Sequence, residues 1–229
     1  MDIKLTWLGH ATWLLIAGEH RLIIDPFLSE NPVATTTAQQ VEVDFVLLTH
    51  GHFDHVADAA EIANRNQALL VANYEIATWF ADKQGVKNTL GMNLGGVAEL
   101  PFGRLKMTLA FHSSQLPDGS YGGNPGGYVI EVAGKRLYFA GDTALFSDMT
   151  LIGALGLDVA ILPIGDLFTM GPDDSIAAAK LLAAKHVLPS HYNTWPPIAQ
   201  DAAKWAQRLR TETNSTAEVL EVGQTVTIL

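Results

Sequence analysis

Four side chains suited to metal binding crowd the segment Thr49-His50-Gly51-His52-Phe53-Asp54-His55, and a short apolar run, Asp44–Thr49, leads straight into it. A continuous apolar run of this length reads as a strand buried on both faces, which puts the segment in the loop at that strand's C-terminal end. In extended chain, residues i and i+2 point the same way, so His50 and His52 can serve one position. Asp54 and His55 open the next turn and point to a neighbouring position. Imidazoles and carboxylates are good ligands for zinc and similar divalent ions, so one short loop can address two metals. A plain surface loop rarely gathers three of a chain's eight histidines into six residues.

One loop supplies too few ligands for two ions. The rest are expected at the ends of other buried strands. His112, Asp142 and His191 end the apolar runs Leu105–Phe111, Leu137–Ala140 and Val187–Pro189. Each alone reads equally as an ordinary polar strand end. As a set they predict strand ends converging on one rim.

The hydropathy pattern predicts strands over 3–8, 12–17, 21–25, 44–49, 69–72, 104–111, 128–133, 136–140, 158–163, 186–190, 217–221 and 224–229. It predicts helices over 56–66, 75–84 (stopped by Gly85), 147–155, 175–185 and 198–210, with loops over 27–40, 113–127 and 165–174. The hairpin Trp13–Ile24 resembles Val129–Phe139, and each is soon followed by an aspartate, Asp25 or Asp142. That echo fits two similar sheets facing each other. No linker-like composition separates the halves, so residues 1–229 are expected to form a single domain.

Composition narrows the function. The chain has no cysteine, which excludes disulfides, cysteine-based zinc sites and thiol nucleophiles. A net charge of -10 with no basic run argues against nucleic acid as a partner. No apolar stretch is long enough to span a membrane. Nothing at the N-terminus resembles a signal peptide, so a cytoplasmic protein acting on a small-molecule substrate is the expectation. A homo-oligomer remains open.

The segment His50–His55 resembles the HxHxDH signature of the metallo-β-lactamase superfamily, and His112, Asp142 and His191 follow in that family's order along the chain. The resemblance implies an α/β (α+β) fold, a four-layer αββα sandwich of two mixed sheets flanked by helices. It implies two divalent ions. His50, His52 and His112 would hold one, Asp54, His55 and His191 the other, and Asp142 would bridge them. Zinc is the first expectation, with manganese, iron or nickel as alternatives. The implied activity is hydrolysis of a small ester, lactone, amide or phosphodiester by a metal-bound hydroxide, with Asp54 orienting that nucleophile and handling its proton. Trp7-Leu8-Gly9-His10-Ala11-Thr12 is similar to the branch holding L-ascorbate-6-phosphate lactonase and N-acylphosphatidylethanolamine-hydrolysing phospholipase D. Two other readings stay open: an iron-dependent oxidoreductase on the same ligands, and a non-catalytic metal-binding protein.

Further residues enter by position. Asp25 is a candidate to orient a ligand histidine from behind, or a simple strand-end aspartate before proline. His10 interrupts an apolar stretch and is expected near the site. Asp166, Phe168, Tyr192 and Trp195 are candidates to contact substrate, as is the glycine-rich loop 113–127. His20, in a hairpin turn, and His186, opening a strand, are expected to stand apart from the metals.

Overall fold

The computed structural model describes residues 2–228. Two seven-stranded sheets form the centre. The first runs in the order β14 (Thr225–Ile228), β1 (Ile3–Trp7), β2 (Trp13–Ala17), β3 (His20–Ile24), β4 (Phe45–Leu47), β5 (Leu69–Asn73) and β6 (Thr89–Met92). Its pairing is antiparallel as far as β3 and parallel from β3 to β6. The second sheet runs β7 (Val97–Leu100), β8 (Gly103–Leu109), β9 (Gly126–Val132), β10 (Lys135–Phe139), β11 (Val159–Pro163), β12 (His186–Ser190) and β13 (Thr216–Ala217). It too is antiparallel for three pairings and parallel for three. The similarity of the two hairpins thus extends to whole sheets. The loop after β1 matches the loop after β8, and Asp25 after β3 matches Asp142 after β10.

Strand alternation sorts the core into layers. In the first sheet Leu22, Ile24, Phe45, Leu47 and Val71 join the cluster shared with the second sheet, including Leu105, Tyr128, Ile130 and Leu137. Their neighbours Ile23, Val46, Leu70 and Ala72 face the other way, onto Ile62, Ile76 and Phe80. Those residues belong to α2 (Ala59–Asn66) and α3 (Tyr74–Gln84), which follow the single-turn α1 (Phe53–Val56). On the second sheet α4 (Met149–Gly153), α5 (Pro172–Leu182) and α6 (Ala202–Glu212) bury Met149, Ile176, Leu182, Trp205 and Leu209. The expected αββα layering of two mixed sheets is present.

Several boundaries differ from the sequence reading, each for a local reason. The helix expected over 56–66 is broken, because the Asp58 carboxylate turns away to accept the Leu28 and Ser29 amides. α5 begins at Pro172 rather than 175; proline suits a first helical turn, and Asp173 and Asp174 complement its dipole. α6 begins at Ala202, where the Asp201 side chain accepts from the Lys204 amide; Pro196–Ile198 form a separate 3-10 turn. β13 is only Thr216–Ala217, and α4 is shorter than the 147–155 expected. β6 and β7 were not expected: both are four residues long, and little of either is buried. Leu229, the end of the last expected strand, lies outside the described residues.

Candidate metal centre

The antiparallel start of each sheet makes β1 run with β3 and β4, and β8 run with β10, β11 and β12. Their C-terminal ends therefore share one edge. From that edge come His10, Asp25, His50, His112, Asp142 and His191. Three of these, His10 (φ 54°), Asp25 (φ 47°) and His191 (φ 53°), adopt the left-handed backbone region. Asp and His tolerate it better than most residues, yet each still costs on the order of 1 kcal/mol or more. The surroundings enforce it. The His10 carbonyl accepts from the His191 amide (2.9 Å), the Trp7 indole (2.9 Å) and the Ser190 hydroxyl (3.2 Å). The two turns are thereby locked together across the sheets.

His50, His52 and His112 form one cluster. His50 Nε2 lies 2.9 Å from His52 Nδ1, which lies 3.3 Å from His112 Nε2. Asp142 Oδ2 is 3.9 Å from His50 Nε2 and 3.6 Å from His112 Nε2. A second cluster contains His10, Asp54, His55 and His191. Asp54 Oδ2 is 3.0 Å from His10 Nε2, 3.6 Å from His191 Nε2 and 3.8 Å from His55 Nε2. Asp142 Oδ2 reaches this group as well, at 3.1 Å from His191 Nε2 and 3.4 Å from His55 Nε2. One carboxylate oxygen thus faces both clusters, and His10 joins the second.

These spacings suit divalent ions. Ligand bonds of about 2.0–2.1 Å in tetrahedral array place donor atoms about 3.3 Å apart. His55 Nε2 is fully buried yet makes no hydrogen bond among the described residues, although two carboxylates lie within 3.8 Å. A cation bound between them, in place of the proton on Nε2, would satisfy all three. Behind the ligands, Asp25 accepts from the Thr49 amide (2.8 Å) and hydroxyl (2.6 Å), and its Oδ2 lies 2.9 Å from His55 Nδ1. That leaves Nε2 of His55 as the ligand atom. His50 Nδ1 is oriented in the same way by the Thr49 hydroxyl, at 3.1 Å.

Burial and mutual charge set the protonation of the metal-free cluster. Burial, reinforced by His55, holds His50 well below 6.5. Burial and His191 push His10 down to about 4. Burial likewise lowers His52 and His112. Burial also opposes charge on His191, but Asp142 and Asp54 together outweigh it and raise that ring to about 9. His55, equally desolvated, is held well above 6.5 by Asp142, Asp25 and Asp54. Against their own burial, Asp142 is kept well below the usual carboxylate range by His191 and His55, and Asp54 by His55 and His10.

A cavity of about 330 Å³ opens onto the cluster. His52, Asp54, His112, Asp142 and His191 line it together with Phe53, Ser113, Phe168 and Trp195. Of the residues expected to contact substrate, Phe168 and Trp195 therefore do face the site. Asp166 does not: it is exposed, and its backbone closes the turn that carries Phe168. Tyr192 is buried in a stack on Trp7, with ring centroids 5.0 Å apart, and does not line the cavity. Loop 113–127 contributes only Ser113; the Asn73 side chain, bonded to the Gly122 and Asn124 carbonyls, ties it down. Gly126 and Gly127 belong to β9, where a side chain on Gly127 would strike the Phe139 carbonyl. His20 packs near Phe45 and His186 bonds to Thr216, both outside the clusters. The sequence reading included Ser113 only as part of loop 113–127, and it missed Phe53, Thr49 and Thr194, whose hydroxyl lies 2.8 Å from His10 Nδ1. Only Phe53 left a signal, an apolar residue between two ligands.

The sequence profile of the β-lactamase superfamily domain matches residues 20–192. The chain belongs to that family. It is 51% identical over 208 residues to a UPF0173 metal-dependent hydrolase of Thermus thermophilus, covering 91% of this chain and 92% of the relative. A Bacillus thuringiensis protein of the same description is 47% identical over 232 residues, covering 99% and 100%. Among solved structures, the metallo hydrolase Igni18 of Ignicoccus hospitalis superposes with a TM-score of 0.90 at 36% identity, covering 100% of this chain and 99% of its own. The family member described here is accordingly a metal-dependent hydrolase of the metallo-β-lactamase superfamily. Among the described residues, no helix is long and apolar enough to cross a membrane.

Proposed function

We propose that this hydrolase works with two divalent ions, zinc in the first instance, and cleaves a small ester, lactone, amide or phosphodiester. The observation that carries this reading is Asp142 Oδ2, which lies within 3.9 Å of ligand atoms from both clusters. His50, His52 and His112 would hold one ion; Asp54, His55 and His191, with His10 beside them, would hold the other. When bound, such a pair supplies a water of lowered pKa and polarises the substrate oxygen. The chain's own residues do the rest. Asp54 faces the cavity and stays ionised, so it accepts a hydrogen bond from the attacking water and orients it. His10 holds the Asp54 carboxylate in place. Phe53, Phe168 and Trp195 give one side of the cavity an apolar lining. The similarity of Trp7–Thr12 to the branch of a lactonase and a phospholipase supports the same range of bonds.

Elemental analysis of the purified protein, followed by turnover of a lactone, an ester and a phosphodiester by the metal-loaded form, tests this. Two ions per chain and hydrolysis that Asp54→Asn reduces by about 100-fold or more are expected. Full activity at one ion per chain, or an inert fully loaded protein, overturns the proposal.

A further inference from the structure

We infer that the substrate is an uncharged carbonyl compound carrying an aromatic or bulky apolar group, and that Phe53, Phe168 and Trp195 receive that group. This rests on the two-metal hydrolase reading and narrows its substrate.

Two of the three rings are exposed where rings are normally buried. Phe53 is 51% exposed and Phe168 54% exposed, and both line the cavity beside the ligands. Neither is a stray surface residue. Phe53 is carried on the single turn α1, between His52 and Asp54, and meets Phe27 edge-on at 5.8 Å. Trp195 lies 6.1 Å from Phe53 and 5.8 Å from Phe27, which makes one continuous aromatic wall. Phe168 is presented by a closed turn, in which the Thr169 amide donates to the Asp166 carbonyl (2.6 Å) and the Asp166 amide to the Met170 carbonyl (3.1 Å). The Met170 amide donates to the Thr143 carbonyl at 3.0 Å, so the turn is anchored next to Asp142. A contiguous apolar surface with polar groups converging beside it is the usual build of a small-molecule pocket, and about 330 Å³ is at the small end of that class.

Charge separates the two reaction types. A phosphoryl group spreads charge over several oxygens in its transition state, and a pocket that adds Arg or Lys to the metals meets that charge best. Among the described residues, no Arg or Lys lines this cavity. A carbonyl develops a single oxyanion, which the metal side of the pocket can meet alone, leaving the aromatic wall for the remainder of the molecule.

Hydroxamates test the wall independently of turnover, because the metal-seeking head stays constant while the tail changes. On the zinc-loaded protein, calorimetry should give benzohydroxamate an affinity at least about tenfold above acetohydroxamate, the expected return for burying one phenyl ring. Phe168→Ala and Trp195→Ala should bring that ratio towards one while keeping their metal content, which confirms that they fold. Equal affinities in the unaltered protein overturn the aromatic assignment. Turnover of phenyl butyrate against diphenyl phosphate tests the carbonyl assignment, and faster cleavage of the phosphodiester overturns it. An inert protein that retains the hydroxamate preference refutes the hydrolase reading and the carbonyl choice but upholds the aromatic wall. Hydrolysis of esters without any hydroxamate preference does the reverse.

Discussion

His10 Nε2 lies 3.0 Å from Asp54 Oδ2, while Nδ1 of the same ring lies 2.8 Å from Thr194 Oγ1. A carboxylate only accepts, so Nε2 carries the proton, and Nδ1 must accept from the Thr194 hydroxyl. Thr194 therefore selects the tautomer that steadies Asp54. Thr194→Val removes the hydroxyl at nearly constant volume and frees the ring to take the other tautomer. About tenfold lower kcat/KM or metal affinity is expected, with Thr194→Ser restoring most of it. Kinetics together with chelator competition would measure both. A valine variant indistinguishable from the parent on both counts would remove Thr194 from the arrangement.

Asp25 sits behind the other edge of the same cluster, joined to both Thr49 and His55. Asp25→Asn keeps the shape, but its amide cannot accept from His55 on the nitrogen side. The ring loses the partner that aims Nε2. Metal affinity is expected to fall about 10–100-fold. The metal-free protein should also lose stability, because His55 is held charged partly by Asp25. Competition with a chromogenic chelator and urea unfolding of the metal-free form would read the two effects separately. Unchanged metal affinity would reduce Asp25 to a structural strand-end residue.

The sequence exposed the histidine-rich loop at residues 49–55 because candidate metal ligands are particular residue types at particular spacings. His112, Asp142 and His191 were legible for the same reason, each closing an apolar run. The positions of most strands followed from apolar runs and turn residues, except at β6 and β7, while their order within each sheet came from the structure. Those two are the edge strands of their sheets with little burial, so alternation left them almost unmarked. Thr49 and Thr194 were illegible because a hydroxyl that orients a ring has no pattern of its own. It acquires its role only when residues far apart in sequence meet, 184 positions apart in the case of His10 and Thr194. Tyr192 misled because its neighbour His191 reaches the site, yet the two side chains point apart.

Protonation of the metal-free cluster makes a pH prediction with opposite slopes. His191 is raised from 6.5 to about 9, so the folded chain binds its proton more tightly than the unfolded chain does. That contribution is complete below pH 6.5 and is lost as pH rises towards 9. His10 is lowered from 6.5 to about 4, so its contribution is complete above 6.5 and is lost as pH falls towards 4. Metal-free protein should therefore unfold at its highest temperature near pH 6.5 and less readily tolerate either side. Metal must also displace the protons on His55 and His191, so uptake at pH 7 should release about two protons and weaken as pH falls. Calorimetric titration in two buffers of different ionisation heat counts them. Heats that do not depend on the buffer would contradict the protonated His55 and His191.

Gly141 places Asp142, the carboxylate that faces both clusters. The glycine has φ +63°, and a methyl group there would lie 2.9 Å from both the Gly126 carbonyl oxygen and Thr49 Cβ. Both neighbours are fixed, since the Gly126 amide donates to the Thr49 carbonyl at 3.0 Å and so joins the two sheets. Gly141→Ala must pay for a left-handed alanine and push the sheets apart at the point where Asp142 enters the site. A loss of about 2–4 kcal/mol is expected, which for a chain of this size lowers the unfolding temperature by roughly 5–15 °C. Because Asp142 Oδ2 faces both clusters, the same shift should weaken both metal positions together. His112→Ala offers the contrast, since His112 belongs to the first cluster alone and should weaken that position selectively. Sequential metal loss under dialysis, followed by elemental analysis, distinguishes the two patterns. A Gly141→Ala protein that lost only one ion would show that Asp142 serves a single position.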